Sequence, residues 1–443
     1  MRPSRLLILL VAALLLTAIA LGTLSALKIE VPAFFPGAWQ SALLALVLLA
    51  LTDAWWLRQL PSPRLQRALP GNLALGRWQE VWLTVHHEFR SPLRIQLFDH
   101  LPEGLDFEFL PQQVALQPGQ QSRFAYRLRP LRRGHFHLDV CELRLPSPLG
   151  LWQGRRLLPL HDETRVYPDF AALYGAQLTA LDNWITQLGV RQQPRRGLGL
   201  EFHQLRDFRD GDTLRQIDWK ATARKRTPIA REYQDERDQQ IIFMLDCGRR
   251  MRSQDGELSH FDHALNALLL LSHVALRQAD AVGLATFAGE LDRFVPAIKG
   301  PTQLRVLLNA VYDLQTTQRP ADFSAAVDTL LVRQQRRALV VILTNLRDED
   351  DEELLQAVRR LGRRHRVMIA SLREEVLDGL RQMPVQSHQQ AIDYCGAMEY
   401  LNARSRLHER LATQGVPVLD VRPGELGPEL ISRYLAWKKA GTL

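Results

Sequence analysis

The densest polar stretch of this 443-residue chain runs Gly197-Leu-Gly-Leu-Glu201-Phe202, Leu205-Arg206-Asp207-Phe208-Arg209-Asp210-Gly211-Asp212, Arg215-Gln216-Ile217-Asp218-Trp219-Lys220 and Ala223-Arg224. Three chemistries suit such residues. As a dinucleotide fingerprint the stretch fails, because Gly197-Leu-Gly199 lacks a correctly spaced third glycine and a preceding strand. As a divalent-cation loop, Asp207, Asp210 and Asp212 miss the EF-hand spacing, and arginines interleave them. What remains is either a self-paired Arg/Asp network with Trp219 as its hydrophobic pin, locking a connector onto the following domain, or a surface that docks a partner. Glu201, Arg206, Asp207, Arg209, Gly211, Asp212, Arg215, Asp218, Trp219 and Arg224 carry either reading.

Other chemical signals are weaker. His86-His87-Glu88 lacks the i, i+4 spacing of a helical zinc motif and falls at a strand end, so no metal is expected there. Cys141, Cys247 and Cys395 are far apart and odd in number, which argues against a disulfide framework or metal clip and for a reducing compartment. No GxSxG, GxxxxGK[ST] or HExxH pattern occurs. We therefore expect no enzyme and no cofactor.

The elements that must position these residues change texture along the chain. Leu6–Leu27 and Val31–Thr52 are each free of charge, with Lys28 and Glu30 in the loop between them, and each is long enough to cross a bilayer, which takes about 20 residues. Arg2 and Arg5 precede the first span; Arg58, Arg64 and Arg67 follow the second. Both ends are thus expected to face the cytosol. Asp53, Trp55 and Trp56 read as anchors at the exit of the second span, the carboxylate still reaching water. Residues 59–168, with short alternating runs such as Glu80-Val-Trp-Leu-Thr-Val and turns at Gly104, Gly119 and Gly134, suggest an all-β, immunoglobulin-like sandwich.

A connector over 169–237 leads to an α/β domain over 238–443, where apolar strands alternate with amphipathic helices: 241–246, 282–287, 339–344, 367–371 and 416–421. Such strands imply a parallel sheet covered on both faces, a doubly wound, Rossmann-like arrangement. Ligands on such sheets bind at the carboxyl ends of the strands, so Asp246 and Asn345 are expected to be neighbours there. Acid at Asp348–Glu353 and base at Arg359-Arg360 suit the two ends of one helix. The net charge of +8 is spread along the chain without aromatic interleaving, which argues against nucleic acid and suits a membrane-side location.

The pattern GxGxEFxxLRxFxxGDxxRxIDWxxxAR resembles the signature of domain-of-unknown-function family fifty-eight, membrane proteins commonly encoded beside MoxR-type AAA+ ATPases. The likeness also takes in the two spans, Leu101-Pro102, Leu131-Arg-Arg-Gly134, Pro146-Ser-Pro-Leu-Gly-Leu151, Val166-Tyr-Pro168 and the segment from Arg404 to Val416. It implies a von Willebrand factor A-like domain and an ATPase partner. Domains of that type hold a divalent cation through a DxSxS loop, a later threonine and an aspartate. Here the loop reads Asp246-Cys247-Gly248-Arg249-Arg250, the threonine position falls at Ala321 with Thr302 as rival, and the aspartate is Asn345. The resemblance therefore implies a degenerate metal edge, with Arg249 or Arg250 as a built-in cation for Asp246.

The resulting expectation is a multi-pass protein of the bacterial inner membrane, its bulk cytosolic. It would act as a protein-binding adaptor working with a MoxR-type ATPase in complex assembly, maturation or envelope homeostasis. The alternative is a divalent-metal-dependent binding or hydrolytic protein using Asp246 and the Asp207/Asp210/Asp212 cluster.

Overall fold

The computed structural model describes residues 1–27, 32, 34–89, 92–169, 196–209, 213–234, 239–347 and 351–441. The chain divides into two compact units, Met1–Tyr167 and Pro168–Leu443. The first begins with helices α1 (Arg5–Ala26) and α2 (Phe34–Gln59), both long and apolar enough to cross a membrane. Ser4 caps α1 by accepting the Leu7 amide at 3.2 Å. Helix α2 runs seven residues past the charge-free stretch, because Leu57, 1% exposed, still packs into the sandwich core.

Asp53 consequently lies inside the helix and is fully buried, which corrects its expected place at the water interface. Its oxygens accept from Ser147 Oγ at 2.5 Å and from the amides of Leu149 and Leu151 at 2.9 and 3.1 Å. The carboxylate thus caps the turn formed by Pro146-Ser-Pro-Leu-Gly-Leu151. Trp55 and Trp56 remain exposed.

The strands that follow are β1 (Arg64–Ala68), β2 (Asn72–Ala74), β3 (Gln79–His86), β4 (Leu93–Asp99), β5 (Leu105–Glu108), β6 (Gln112–Leu116), β7 (Ser122–Pro130), β8 (Gly134–Pro146) and β9 (Trp152–Tyr167). One sheet has the order β9-β8-β4-β6, with Arg2–Pro3 and β2 also pairing β9; the other has the order β1-β3-β7-β5. Alternation sends Val81, Leu83 and Val85 of β3 into one core with Leu97 and Leu143 of the facing sheet. A polar bolt crosses that core. Arg67 of β1 forks onto Asp99 of β4 at 2.6 and 2.9 Å, and Tyr126 donates to the same carboxylate at 2.7 Å.

In the second unit, hairpin strands β10 (Arg196–Asp207) and β11 (Ile229–Gln234) flank the short helix α3 (Trp219–Lys225). Then come β12 (Gln240–Asp246), α4 (His260–Arg277), β13 (Ala281–Phe287), β14 (Phe294–Ile298), α5 (Thr302–Val311), α6 (Phe323–Arg333), β15 (Leu339–Thr344), α7 (Asp351–Gly362), β16 (Arg366–Leu372), α8 (Glu375–Gln382), α9 (His388–Thr413), β17 (Val418–Val421) and α10 (Leu426–Ala440). The sheet order is β14-β13-β12-β15-β16-β17, parallel throughout except for β14.

Both faces of this sheet are covered. Ile241, Phe243 and Leu245 pack with residues of α4, α5 and α10, whereas Ile242 and Met244 pack with residues of α6, α7 and α9. That explains the unbroken apolar runs of the strands. The chain leaves β12 toward β13 on one side and returns to β15 on the other, so the topological switch point of the sheet falls where Asp246 and Thr344 end their strands.

Candidate functional site

Asp246 is fully buried at the end of β12. Its Oδ1 accepts the Gly248 amide at 2.7 Å and its Oδ2 accepts the Thr344 hydroxyl at 2.7 Å. Arg250, also buried, brings its Nε to 3.6 Å from Oδ2 and donates an Nη1 hydrogen bond to the Asn345 carbonyl at 3.4 Å. Its guanidinium stacks over the Phe323 ring at 5.5 Å. A divalent ion on Asp246 would have to share its place with this cation. Gly248 is required sterically, since a Cβ there would lie 2.8 Å from the Arg319 carbonyl and 3.0 Å from Asp246 Oδ1.

Asn345 is the neighbour of Asp246 along the edge and leads to a second cluster. Its Nδ2 donates to Glu374 at 2.7 Å and faces His260 Nδ1 at 3.4 Å, while Asp255 holds the other ring nitrogen of His260 at 2.7 Å. Arg404, from the middle of α9 and 2% exposed, donates to Asn345 Oδ1, Ser371 Oγ, Asp420 and the carbonyls of Leu346 and Leu372, at 2.5–3.0 Å. Burial alone would lower the pKa of this guanidinium; the hydrogen bond and charge of Asp420 outweigh it and hold the value above the ordinary arginine range. Tyr400, one turn earlier, is pushed up first by burial and then by Glu374.

Asp246, Arg250, His260, Asn345 and Arg404 are buried and tied to their neighbours, so the edge locks the ends of four strands, β12, β15, β16 and β17. Ala321 packs against the α6 face of the core, in the loop that approaches Asp246. Thr302 starts α5 at the opposite edge, where the adjacent Gln303 donates to the Val282 carbonyl, so it is no rival for Ala321. The threonine that does meet Asp246 is Thr344. Sequence reasoning passed over it, although a polar residue closing an apolar strand is a signal.

The signature residues lie elsewhere in the unit. Asp218 caps α3, accepting the amides of Lys220 and Ala221 at 3.0 Å and Arg231 Nε at 2.9 Å. The Ala221 amide foremost, then Arg231, hold its carboxyl below the usual range. Asp207 pairs loosely with Lys225 at 3.6 Å, and Arg206 donates to the Asp207 carbonyl. Arg209 and Arg224 are exposed. Glu201 lies on β10 and Arg215 in the turn Leu214–Gln216; Asp210, Gly211 and Asp212 lie outside the described residues.

Trp219 is not a pin. The residue is 70% exposed, alongside Leu214 at 76% and Leu205 at 46%. The seven-residue helix seats itself instead through the buried Ile229 and Ala230, with Asp218 and Ile217 bonded across to them. The hairpin therefore presents indole and leucine side chains amid Arg209, Lys220, Arg224 and Lys225.

Residues 204–409 match the family described as Protein of unknown function DUF58; the match starts inside the signature stretch and ends in α9. The uncharacterised protein YeaD of Bacillus subtilis is 22% identical over 235 residues, covering 52% of this chain and 56% of that protein. An uncharacterised protein of Mycobacterium tuberculosis (strain H37Rv) is 24% identical over 186 residues, covering 41% of this chain and 56% of that protein. The chain thus spans little more than half the length of these curated relatives. Among solved structures, Salmonella alpha-2-macroglobulin reacted with methylamine matches 24% of this chain and 7% of its own at 17% identity and a TM-score of 0.19. The cupredoxin domain of amoB from Nitrosocaldus yellowstonii matches 24% of this chain and 84% of its own at 10% identity and a TM-score of 0.17. Scores this low carry no argument about fold or function.

Proposed function

We propose that this chain is a membrane-anchored adaptor whose second unit binds a partner protein through the signature hairpin. The observation that carries the reading is the exposure of Trp219, Leu214 and Leu205 among basic side chains, in the segment that begins the family match. Aromatic and arginine side chains are the groups that most often dominate protein interfaces, and a monomer gains nothing by wetting an indole. A closed carboxyl edge supports the same reading, since Arg250 stands 3.6 Å from Asp246 where a von Willebrand factor A-like domain would hold its ion. The strand order and the antiparallel edge strand support that domain type, and the two facing sheets of the first unit support an immunoglobulin-like one. A MoxR-type AAA+ ATPase is the first candidate partner, and the bacterial inner membrane the candidate location.

Crosslinking and co-purification from membranes test this with wild type, Trp219→Ala and Asp246→Ala, each with and without magnesium. Trp219→Ala is expected to reduce capture of a partner ATPase at least tenfold, the scale of about 1.4 kcal/mol or more, without changing thermal stability. Wild type is expected to capture equally with or without magnesium. Capture that requires magnesium would replace this reading with metal-dependent binding through Asp246 and Asp207/Asp210/Asp212.

A further inference from the structure

On the outer face of the sandwich, β8 and β9 run antiparallel with His137 directly opposite Glu163 and His135 opposite Arg165. His135 and His137 are two residues apart on one strand, so both imidazoles leave the same face. Phe136 and Leu138, between and beyond them, point into the core and fix the strand, and Thr164 does the same for β9 through its hydrogen bond to the Pro70 carbonyl. The two rings lie 4.5 Å apart, tilted by 56°.

Each ring addresses a different oxygen of one carboxylate. His135 Nε2 is 3.3 Å from Glu163 Oε2, and His137 Nδ1 is 3.4 Å from Glu163 Oε1. One donor atom from each of the three side chains falls within a span of 4.8 Å. An ion held tetrahedrally at roughly 2.0–2.2 Å from nitrogen and oxygen needs donor atoms about 3.4 Å apart, and each imidazole already stands at that spacing from one of the two Glu163 oxygens. We propose that His135, His137 and Glu163 form a binding site for a divalent transition-metal ion of the zinc class.

Two imidazoles and one carboxylate select this class. Magnesium and calcium prefer sites made of oxygen alone, whereas zinc takes nitrogen and carboxylate together. The rigid ladder makes the site shallow but preorganised, and the exposure of all three side chains leaves a coordination position open to water or to a donor from another molecule. Next along the ladder His161 and Asp139 pair at 3.0 Å, adding a third imidazole and a second carboxylate nearby, while Arg165 opposite His135 is a cation that opposes binding locally. The site is distinct from the carboxyl edge of the α/β sheet, which lies in the other unit.

Zinc titration of the intact chain in detergent, purified without a polyhistidine tag, tests the assignment by calorimetry and by competition with a chromophoric chelator. Wild type is expected to bind one zinc that is weakened at least tenfold in Glu163→Gln and in the His135→Ala/His137→Ala double variant, and unchanged in Cys395→Ser. Magnesium and calcium are expected to give no heat. Zinc should raise the melting temperature of wild type and leave both site variants where they are, all three melting together in chelator. Equal zinc affinity in wild type and both variants, or no zinc bound at micromolar concentrations, overturns the site.

Discussion

Arg404 spreads one guanidinium over five acceptors from three segments of chain, which no other side chain can imitate. A lysine delivers a single point charge, so Arg404→Lys is expected to fail almost as badly as Arg404→Met. Removing the cation strands Asp420 beside Asn345 and two buried carbonyls; breaking a buried pair in this way costs about 3–5 kcal/mol. A fall of that size in the denaturant stability of the second unit, with hydrogen exchange accelerated first at β16 and β17, would establish the role. In the sandwich, Glu142 carries a pH dependence of definite sign. Burial alone would raise its pKa, but Arg155, Arg144 and His100 together hold it at about 2. A depressed carboxylate contributes stability at pH values above its unfolded range and loses it as the pH falls toward the folded value. Glu142→Gln should therefore melt below wild type at pH 7, and the two melting curves should converge on acidification from about pH 5 toward pH 2.

At the scale of elements, β14 lies so close to β13 that Gly283 cannot carry a side chain. A Cβ there would stand 2.7 Å from the Val295 carbonyl, 2.8 Å from the Ala297 amide and 2.8 Å from Ile242 Cδ1. Because two of these are backbone atoms, Gly283→Ala must push the edge strand away, at a cost of about 1–3 kcal/mol. Thermal unfolding checks this, and a loss under 0.5 kcal/mol would mean that the strand yields freely. The parallel strands were legible in the sequence because a sheet covered on both faces demands continuous apolar runs, and 241–246 or 339–344 have no other reading of that length. The neighbourhood of Asp246 and Asn345 followed from strand polarity alone. Other features depend on distances along the chain that no local pattern carries. Arg404 reaches Asn345 from 59 residues away. His137 faces Glu163 only because of the register shift between Pro159 and Asp162 in β9. Asp53 is buried by a turn 94–98 residues downstream. Trp219 shows the opposite error: residue type suggested burial, but a helix of seven residues has too little face to cover an indole.

At the scale of the whole molecule, the two N-terminal helices and the arginines around them make the side on which the bulk of the chain lies a testable matter. Arg2 and Arg5 stand before α1 and Arg58 after the apolar part of α2, whereas the sequence between the helices offers Lys28 against Glu30. If both helices cross a membrane, as proposed, that asymmetry is expected to hold both ends on the cytosolic side. The cysteines supply a reporter. Cys395 is exposed on α9, whereas Cys141 and Cys247 are buried, and burial, followed by the charge of Asp99, pushes the Cys141 thiol up to about 12. A thiol so shielded stays protonated and unreactive near neutrality. A membrane-impermeant maleimide is therefore expected to label one site, Cys395, in inverted vesicles and none in intact spheroplasts, with all three thiols labelled after denaturation. Labelling of Cys395 from the outside of spheroplasts would reverse the orientation and remove a cytosolic ATPase from the list of partners that could reach the signature hairpin.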